Sequence, residues 1–444
     1  MKKILSLILI FILLFSAVGC GGKGTESGSI PSATDSVVYL NGVSLKDYCI
    51  IIPENANQLN KDAAEILQKY IATTYEIELD IKAGTESADK KEIIISDVDD
   101  YTPSLDIPEG HYLLTSAGDD IVAIGDDYLV GGGVGDMIAN YIKVGNSELK
   151  VPESSTAKEL VFQKADSAIL MIADGMGENH INLAYQEKSI DKFYAEYLPN
   201  ICYVNTNNAE FKTTDSAASG TAMATGVKTT NGFLGLSPAE KRLVNLTDVA
   251  YKSGAKSSIV TTDSLYGATP SAFVAHVNDR NNTDVIKMHF ENALSKGWVT
   301  YAKGSLKDAD FFSTSTEYLW DISKNGGKFF TMMEEAYTDK GSHSNELDTV
   351  VHAVSRFNRL VSYCIEYTVI FPRIALIITA DHETGGIKLE NGEFVFTTTN
   401  HTSTNVKLFA LGKGTEKLTE KPLIENTEIA HFMAAIYGET KLNK

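Results

Sequence analysis

Thiols are scarce in this chain of 444 residues: Cys20, Cys49, Cys202 and Cys364 are the whole set. No two of them stand in a Cys-x-x-Cys spacing, which excludes a zinc site built on thiolates. For the last three, one disulfide and three buried free thiols are both open. Basic charge is short as well, with 39 Lys and Arg against 58 Asp and Glu and a formal net charge of −19. That balance excludes nucleic acid as a specific partner, because such binding needs a basic face. An anionic substrate would need a locally positive site, which bound metal ions could supply. No internal repeat is visible, and the only low-complexity stretch lies near the N-terminus. What remains is ordinary for a globular protein: 43% hydrophobic and 22% charged residues, in a chain long enough for two or three domains.

Residues 1–20 stand apart from the fold. Lys2 and Lys3 form a positive start, residues 4–15 are apolar but too short for a typical spanning helix, and Ser16-Ala17-Val18-Gly19-Cys20 comes next. This resembles a bacterial lipoprotein signal, with cleavage before Cys20 and lipidation of its thiol. Ala17 stands where leucine is more usual, so plain signal-peptide cleavage is the alternative. Residues 21–36, rich in Gly, Ser and Thr, read as a flexible tether. The expectation is an exported protein on the outer side of a bacterial membrane, lipid-anchored at Cys20.

The rest of the chain divides into two regions. Residues 37–150 read as a small α/β accessory domain. An apolar run at 49–52 predicts a strand. Residues 57–74 carry helical spacing through Leu59, Ala63, Ile66, Leu67, Tyr70 and Ile71, and strands are predicted at 77–81, 92–95, 112–115 and 121–124. Gly131-Gly132-Gly133 predicts a turn opening a last helix; it lacks the Lys-Ser/Thr of a phosphate loop. This region has a diffuse resemblance to the non-catalytic N-terminal domains of some glycoside hydrolases. After a bridge at 154–165, residues 160–444 alternate strands with helices, as a mostly parallel sheet flanked by helices requires.

The strong strands there are predicted at 167–173, 257–262, 328–332 and 374–379. Each runs toward a residue able to bind a cation: Asp174, Thr269, Glu334 with Asp339, and Asp381 with His382. Ligands of an open α/β sheet gather beyond the carboxyl ends of its strands, so these residues could converge. Separately, Asp215-Ser216 opens a run of small residues suited to a tightly packed helix start. A serine at a helix N-terminus faces unpaired N–H groups, and a metal ion could lower its pKa enough for attack on phosphate. An ordinary N-cap on a buried helix would look the same locally.

Taken together, Ala173-Asp174-Gly175-Met176-Gly177, Thr214-Asp215-Ser216-Ala217-Ala218-Ser219, Ala268-Thr269-Pro270 through His276 to Arg280, and Thr379-Ala380-Asp381-His382-Glu383-Thr384-Gly385-Gly386 resemble the bacterial alkaline phosphatases over residues 166–431. The resemblance implies a phosphomonoesterase that releases inorganic phosphate through a phosphoserine on Ser216. It also implies two zinc ions and one magnesium ion. One zinc would take Asp339, His343 and His401; the other Asp174, Ser216, Asp381 and His382; magnesium would share Asp174 and add Thr269 and Glu334. These residue types suit the metals, imidazole and carboxylate for zinc, hydroxyl and carboxylate for magnesium. Arg280 would hold two phosphate oxygens with its planar fork, and Lys340 would reach phosphate through water.

Gly267 departs from the family, many of whose members carry Asp or His two residues before the magnesium threonine. That removes a group which would orient a metal-bound water. Phosphate monoesters are the expected substrates. The rival readings are a phosphodiesterase or phosphonate hydrolase on the same fold, and a catalytically inactive surface glycan-binding protein. A homodimer and a glycan contact through the N-terminal domain are left open.

Overall fold

The computed structural model describes residues 37–84, 89–98, 107–153 and 156–444; the leader, Cys20 and the tether lie outside the described residues. Among the described residues, no helix is long and apolar enough to cross a membrane.

The larger sheet has eight strands in the spatial order Tyr301–Lys303, Lys256–Thr261, Phe329–Glu335, Ser167–Ala173, Ile374–Thr379, Val406–Leu411, Asn200–Asn205, Leu423–Glu425. The first five run parallel, and Val406–Leu411 is antiparallel to both its neighbours. The central strands Ser167–Ala173, Phe329–Glu335 and Ile374–Thr379 are buried at every residue, as expected for parallel strands covered on both faces. Their carboxyl ends therefore lie side by side, and the site residues cluster there.

The smaller sheet orders Ile81–Ala83, Tyr48–Ile52, Lys91–Asp97, Asp120–Gly125, His111–Ala117 and Lys158–Glu159. The strand expected at 77–81 begins only at Ile81. Ile77 and Leu79 are buried, but the ladder to the neighbouring strand starts where Ile50 N donates to Asp80 O. The expected glycine turn is also corrected, since Gly131 to Gly133 lie inside the helix Val130–Asp136. Cβ atoms there would meet Glu366 Oε2 at 2.3 Å, the Tyr112 ring at 2.5 Å and Ala123 Cβ at 2.9 Å. Close helix packing, rather than a turn, explains the glycines.

Helix Leu347–Ile370 links the two sheets. It packs on helices Gln58–Tyr75 and Val130–Asp136 of the first region and on strand Ile374–Thr379 of the second. Beyond its first turns it is buried nearly all round, as a helix sandwiched between layers must be. Arg359 reaches out of it to Asp62, at 2.7 Å. One continuous apolar core results, running from Val38 to Leu442. Cys49, Cys202 and Cys364 are buried free thiols, so no disulfide joins them.

Candidate metal centre and active site

Ser216 is the first residue of helix Ser216–Thr225, and its neighbour Asp215 is the N-cap, accepting from Ala218 N at 2.9 Å. Asp215 Oδ2 also accepts from Gly232 N (3.0 Å) and from Arg280 Nη1 (3.1 Å). The cap thus fixes the serine and the guanidinium beside one another. Ser216 Oγ lies 3.2 Å from His382 Nε2, and the residue is buried.

The proton positions on the three histidines are set by their neighbours. His343 Nδ1 faces the carbonyl of Thr399 at 2.6 Å, and His401 Nδ1 faces that of Thr214 at 2.9 Å. A carbonyl only accepts, so both Nδ1 atoms carry hydrogen and both Nε2 atoms present lone pairs. Those Nε2 atoms are 3.1 Å apart and lie 3.3 and 3.5 Å from Asp339 Oδ1. Three acceptors converge with no hydrogen among them, an arrangement that demands a cation or an added proton. The proton alternative is visible in His343, whose bond to Asp339 pushes its imidazole up to about 8. Burial pushes the Asp339 carboxyl up, but hydrogen bonding to His343 and Thr384 and the charge of a protonated His343 bring it below its ordinary range.

His382 sits at the junction of two such groups. Thr384 Oγ1 donates its one proton to Asp339 Oδ1 at 2.5 Å, so it must accept from His382 Nδ1, 3.2 Å away. The His382 Nε2 lone pair then faces Asp381 Oδ2 at 3.2 Å and Asp174 Oδ1 at 3.5 Å. Both of these carboxylate oxygens are buried without a hydrogen-bond partner, a costly state unless a cation is shared. Ligand atoms of Asp174, Asp381 and His382 all lie within 4.8 Å of one another, as do those of Asp339, His382 and His401. Crowding has the expected effect on protonation. Burial and the charges of Asp381, Asp339 and Glu334 hold Asp174 well above the carboxylate range; burial and Asp339 push Asp381 up to about 7. Burial, then His401, holds His382 far below its usual value, keeping it a neutral donor of lone pairs. These donor sets fit zinc.

A third group lies beside them. Thr269 Oγ1 is 3.3 Å from Asp174 Oδ2, and Glu334 accepts from the Thr261 hydroxyl. Burial, followed by the charge of Asp263, pushes Glu334 up to about 8. Hydroxyl and carboxylate oxygens suit a hard cation such as magnesium. Glu334 is inside its strand, facing Ile172 and Thr261 across the ladder, rather than past the strand end as the sequence predicted.

The backbone is shaped for this convergence. Gly175 takes φ +75°, and a Cβ on it would stand 2.7 Å from Asp339 Cα and 2.9 Å from Thr384 Oγ1. Only glycine lets the turn after Asp174 pass so close. Antiparallel pairing of Glu383–Thr384 with His401–Thr402 stacks the His401 and His382 rings 3.6 Å apart. Lys340 does not point freely into the site; its ammonium pairs with Asp263. Four contributors escaped the sequence reading: Thr384, Thr261, Asp263 and His180. Buried His180 accepts from Gly177 N at 3.1 Å and bonds Ser342 Oγ at 3.0 Å, bracing helix Tyr337–His343. Thr384 stood within a recognised segment, and the others carried no sequence signal. His276 bonds Leu243 O and packs on His289.

Residues 165–313 match the family model described as alkaline phosphatase. Alkaline phosphatase 4 of Bacillus subtilis is 26% identical over 312 residues, covering 56% of this chain and 68% of that protein. Alkaline phosphatase of Escherichia coli K12 is 40% identical over 160 residues, covering 32% of each chain. The solved alkaline phosphatase from the Antarctic bacterium TAB5 shares the fold, with a TM-score of 0.57 at 23% identity, covering 64% of this chain and 100% of that one. A variant of that enzyme was solved with magnesium bound. The family-model match begins at residue 165 and does not bear on the N-terminal region. The chain thus shares the fold of solved alkaline phosphatases, and its motif-bearing residues 165–313 match that family's model.

Proposed function

We propose that the protein is an exported, metal-dependent phosphomonoesterase, lipid-anchored at Cys20, working through a phosphoserine on Ser216. The observation that carries this reading is the position of Ser216 Oγ, at a helix N-terminus and 3.2 Å from Nε2 of His382, the residue that belongs to both groups of converging ligand atoms. Asp339, His343 and His401 would hold one zinc ion; Asp174, Asp381, His382 and Ser216 a second; Asp174, Thr269 and Glu334 a magnesium ion. Bound there, such ions would lower the pKa of the serine and of water and offset charge on the leaving oxygen.

The chain's own residues supply the rest. Ser216 Oγ attacks phosphorus and loses its proton; the P–O bond to the alcohol breaks, and the alcohol leaves protonated. Water then attacks the phosphoserine, and Oγ departs with inorganic phosphate released. Asp215 spends one arm of the Arg280 fork and so orients the guanidinium for phosphate oxygens. The local N–H groups of helix Ser216–Thr225 favour the same anion.

The test is hydrolysis of a chromogenic phosphate monoester by protein lacking residues 1–35, with and without zinc and magnesium, beside Ser216→Ala. Metal-dependent turnover that vanishes in the variant, with [32P]phosphate trapped on wild-type serine at low pH, is the expected result. Inert monoesters but active diesters or phosphonates would move the substrate class. Inertness towards all of them in metal-loaded protein would sink the enzyme reading. Anchoring is checked separately by mass spectrometry of Cys20 in the cell envelope.

A further inference from the structure

Gly267 stands two residues before Thr269, where the resemblance calls for a polar side chain, yet the space beside it is filled. A Cβ on Gly267 would stand 2.1 Å from Asp263 Oδ2 and 2.9 Å from its Cγ. The backbone there (φ −61°, ψ 165°) suits any residue, so the glycine is required by the carboxylate and not by conformation. Asp263 lies on the turn just after strand Lys256–Thr261. Its N–H donates to Thr261 Oγ1 at 2.8 Å, and that hydroxyl donates to Glu334. Asp263 Oδ1 in turn accepts from the Lys340 ammonium, next in sequence to Asp339. One loop carboxylate thereby joins the magnesium-type group to the lysine that follows Asp339 in the chain. Its influence on Glu334 agrees with this closeness.

We propose that Asp263 is the positioning residue of the third cation site, delivering from a different point in the chain the carboxylate that Gly267 lacks. The inference rests on the metal- and phosphate-binding reading of the site. Asp263 adds negative charge within reach of Glu334, offers Oδ2 to water on a cation held by Asp174, Thr269 and Glu334, and pins Lys340 for phosphate. Removing a group that orients a metal's ligands typically costs about 10- to 100-fold in metal affinity.

The experiment compares full-length wild type with Asp263→Asn, Asp263→Ala and the double variant Asp263→Ala/Gly267→Asp. Magnesium affinity of zinc-loaded protein is read by isothermal titration, inorganic phosphate affinity by equilibrium dialysis, and folding by melting temperature. Asp263→Asn and Asp263→Ala are expected to weaken magnesium about 10- to 100-fold and to weaken phosphate as well. The double variant, whose new carboxylate enters the emptied space, should recover most of the magnesium affinity. Wild-type magnesium affinity in Asp263→Asn overturns the proposal. So does a loss that the folded double variant fails to recover, which would mark loop packing alone, and so does a wild type that binds no magnesium. If Asp263→Ala misfolds, Asp263→Asn keeps the shape and decides the question. A magnesium loss in Asp263→Asn beside a wild type inert to monoesters leaves this inference and removes the proposed activity. An active wild type with unchanged magnesium binding in Asp263→Asn does the reverse.

Discussion

Thr384→Val tests whether one hydroxyl sets the charge pattern of the whole centre. The residue is buried; its Oγ1 donates to Asp339 Oδ1 at 2.5 Å and accepts from His382 Nδ1 at 3.2 Å. Valine keeps the shape and removes both bonds. The His382 Nδ1–H then has lost its acceptor in a buried site, a cost of about 1–3 kcal/mol. The ring can relieve that cost by moving its proton to Nε2. There the proton sits between Asp381 Oδ2 and Asp174 Oδ1 and competes with any cation. Asp339 loses a charge-assisted bond at the same time. Both changes act against zinc, and disturbing such an orienting group typically lowers affinity about 10- to 100-fold. At about 1.4 kcal/mol per decade, that is about 1.4–2.8 kcal/mol, within the hydrogen-bond range just given. The assay is competition for zinc against a chromogenic chelator at fixed pH, with Thr384→Ser as the control that keeps the hydroxyl. A folded Thr384→Val that binds zinc as wild type does would refute the tautomer argument and with it the role assigned to His382 Nε2.

Glu366 carries a pH prediction. Both of its oxygens are buried without hydrogen-bond partners, and burial, then Asp62 and Asp97, holds its carboxyl well above the ordinary value of 4.5. A raised acid means the folded state keeps a proton that the unfolded state releases, so this group's contribution falls as pH rises above about 4.3. Glu366→Gln should therefore raise the melting temperature more at pH 8 than at pH 5; equal shifts at both would contradict the assignment. Arg280→Lys removes the planar fork that Asp215 orients, and kcat/KM for a monoester should drop about 10- to 100-fold, the worth of one or two hydrogen bonds to a charged group. A change under about twofold in steady-state kinetics would argue that the guanidinium does not contact substrate.

Much of the centre was legible because its signals are local. An acid before a serine and a run of small residues is a helix start on any fold, and Asp215 caps Ser216–Thr225 as that pattern implies. Uniformly apolar runs such as Ser167–Ala173 and Ile374–Thr379 announce strands covered on both faces, and the residues just past the carboxyl ends of such strands collect at one edge. Where the reading slipped, a non-local contact was responsible. Gly131 to Gly133 look like a turn until Glu366, Tyr112 and Ala123 are brought against them. The expected strand at 77–81 waits for a partner that first bonds at Asp80.

By itself the sequence determined the alternating architecture, the place of Ser216 at the start of a helix and the identity of the residues able to hold cations. These depend on residue type and short spacing. Only the tertiary structure decided how charge is distributed among them. Thr384 orders the protons of His382 and Asp339 across 45 residues, the carbonyls of Thr399 and Thr214 turn two imidazoles toward one point, and Asp263 occupies the space that Gly267 vacates. Hydrogen-bond direction and shared volume arise when distant segments meet, and no periodicity along a chain encodes them.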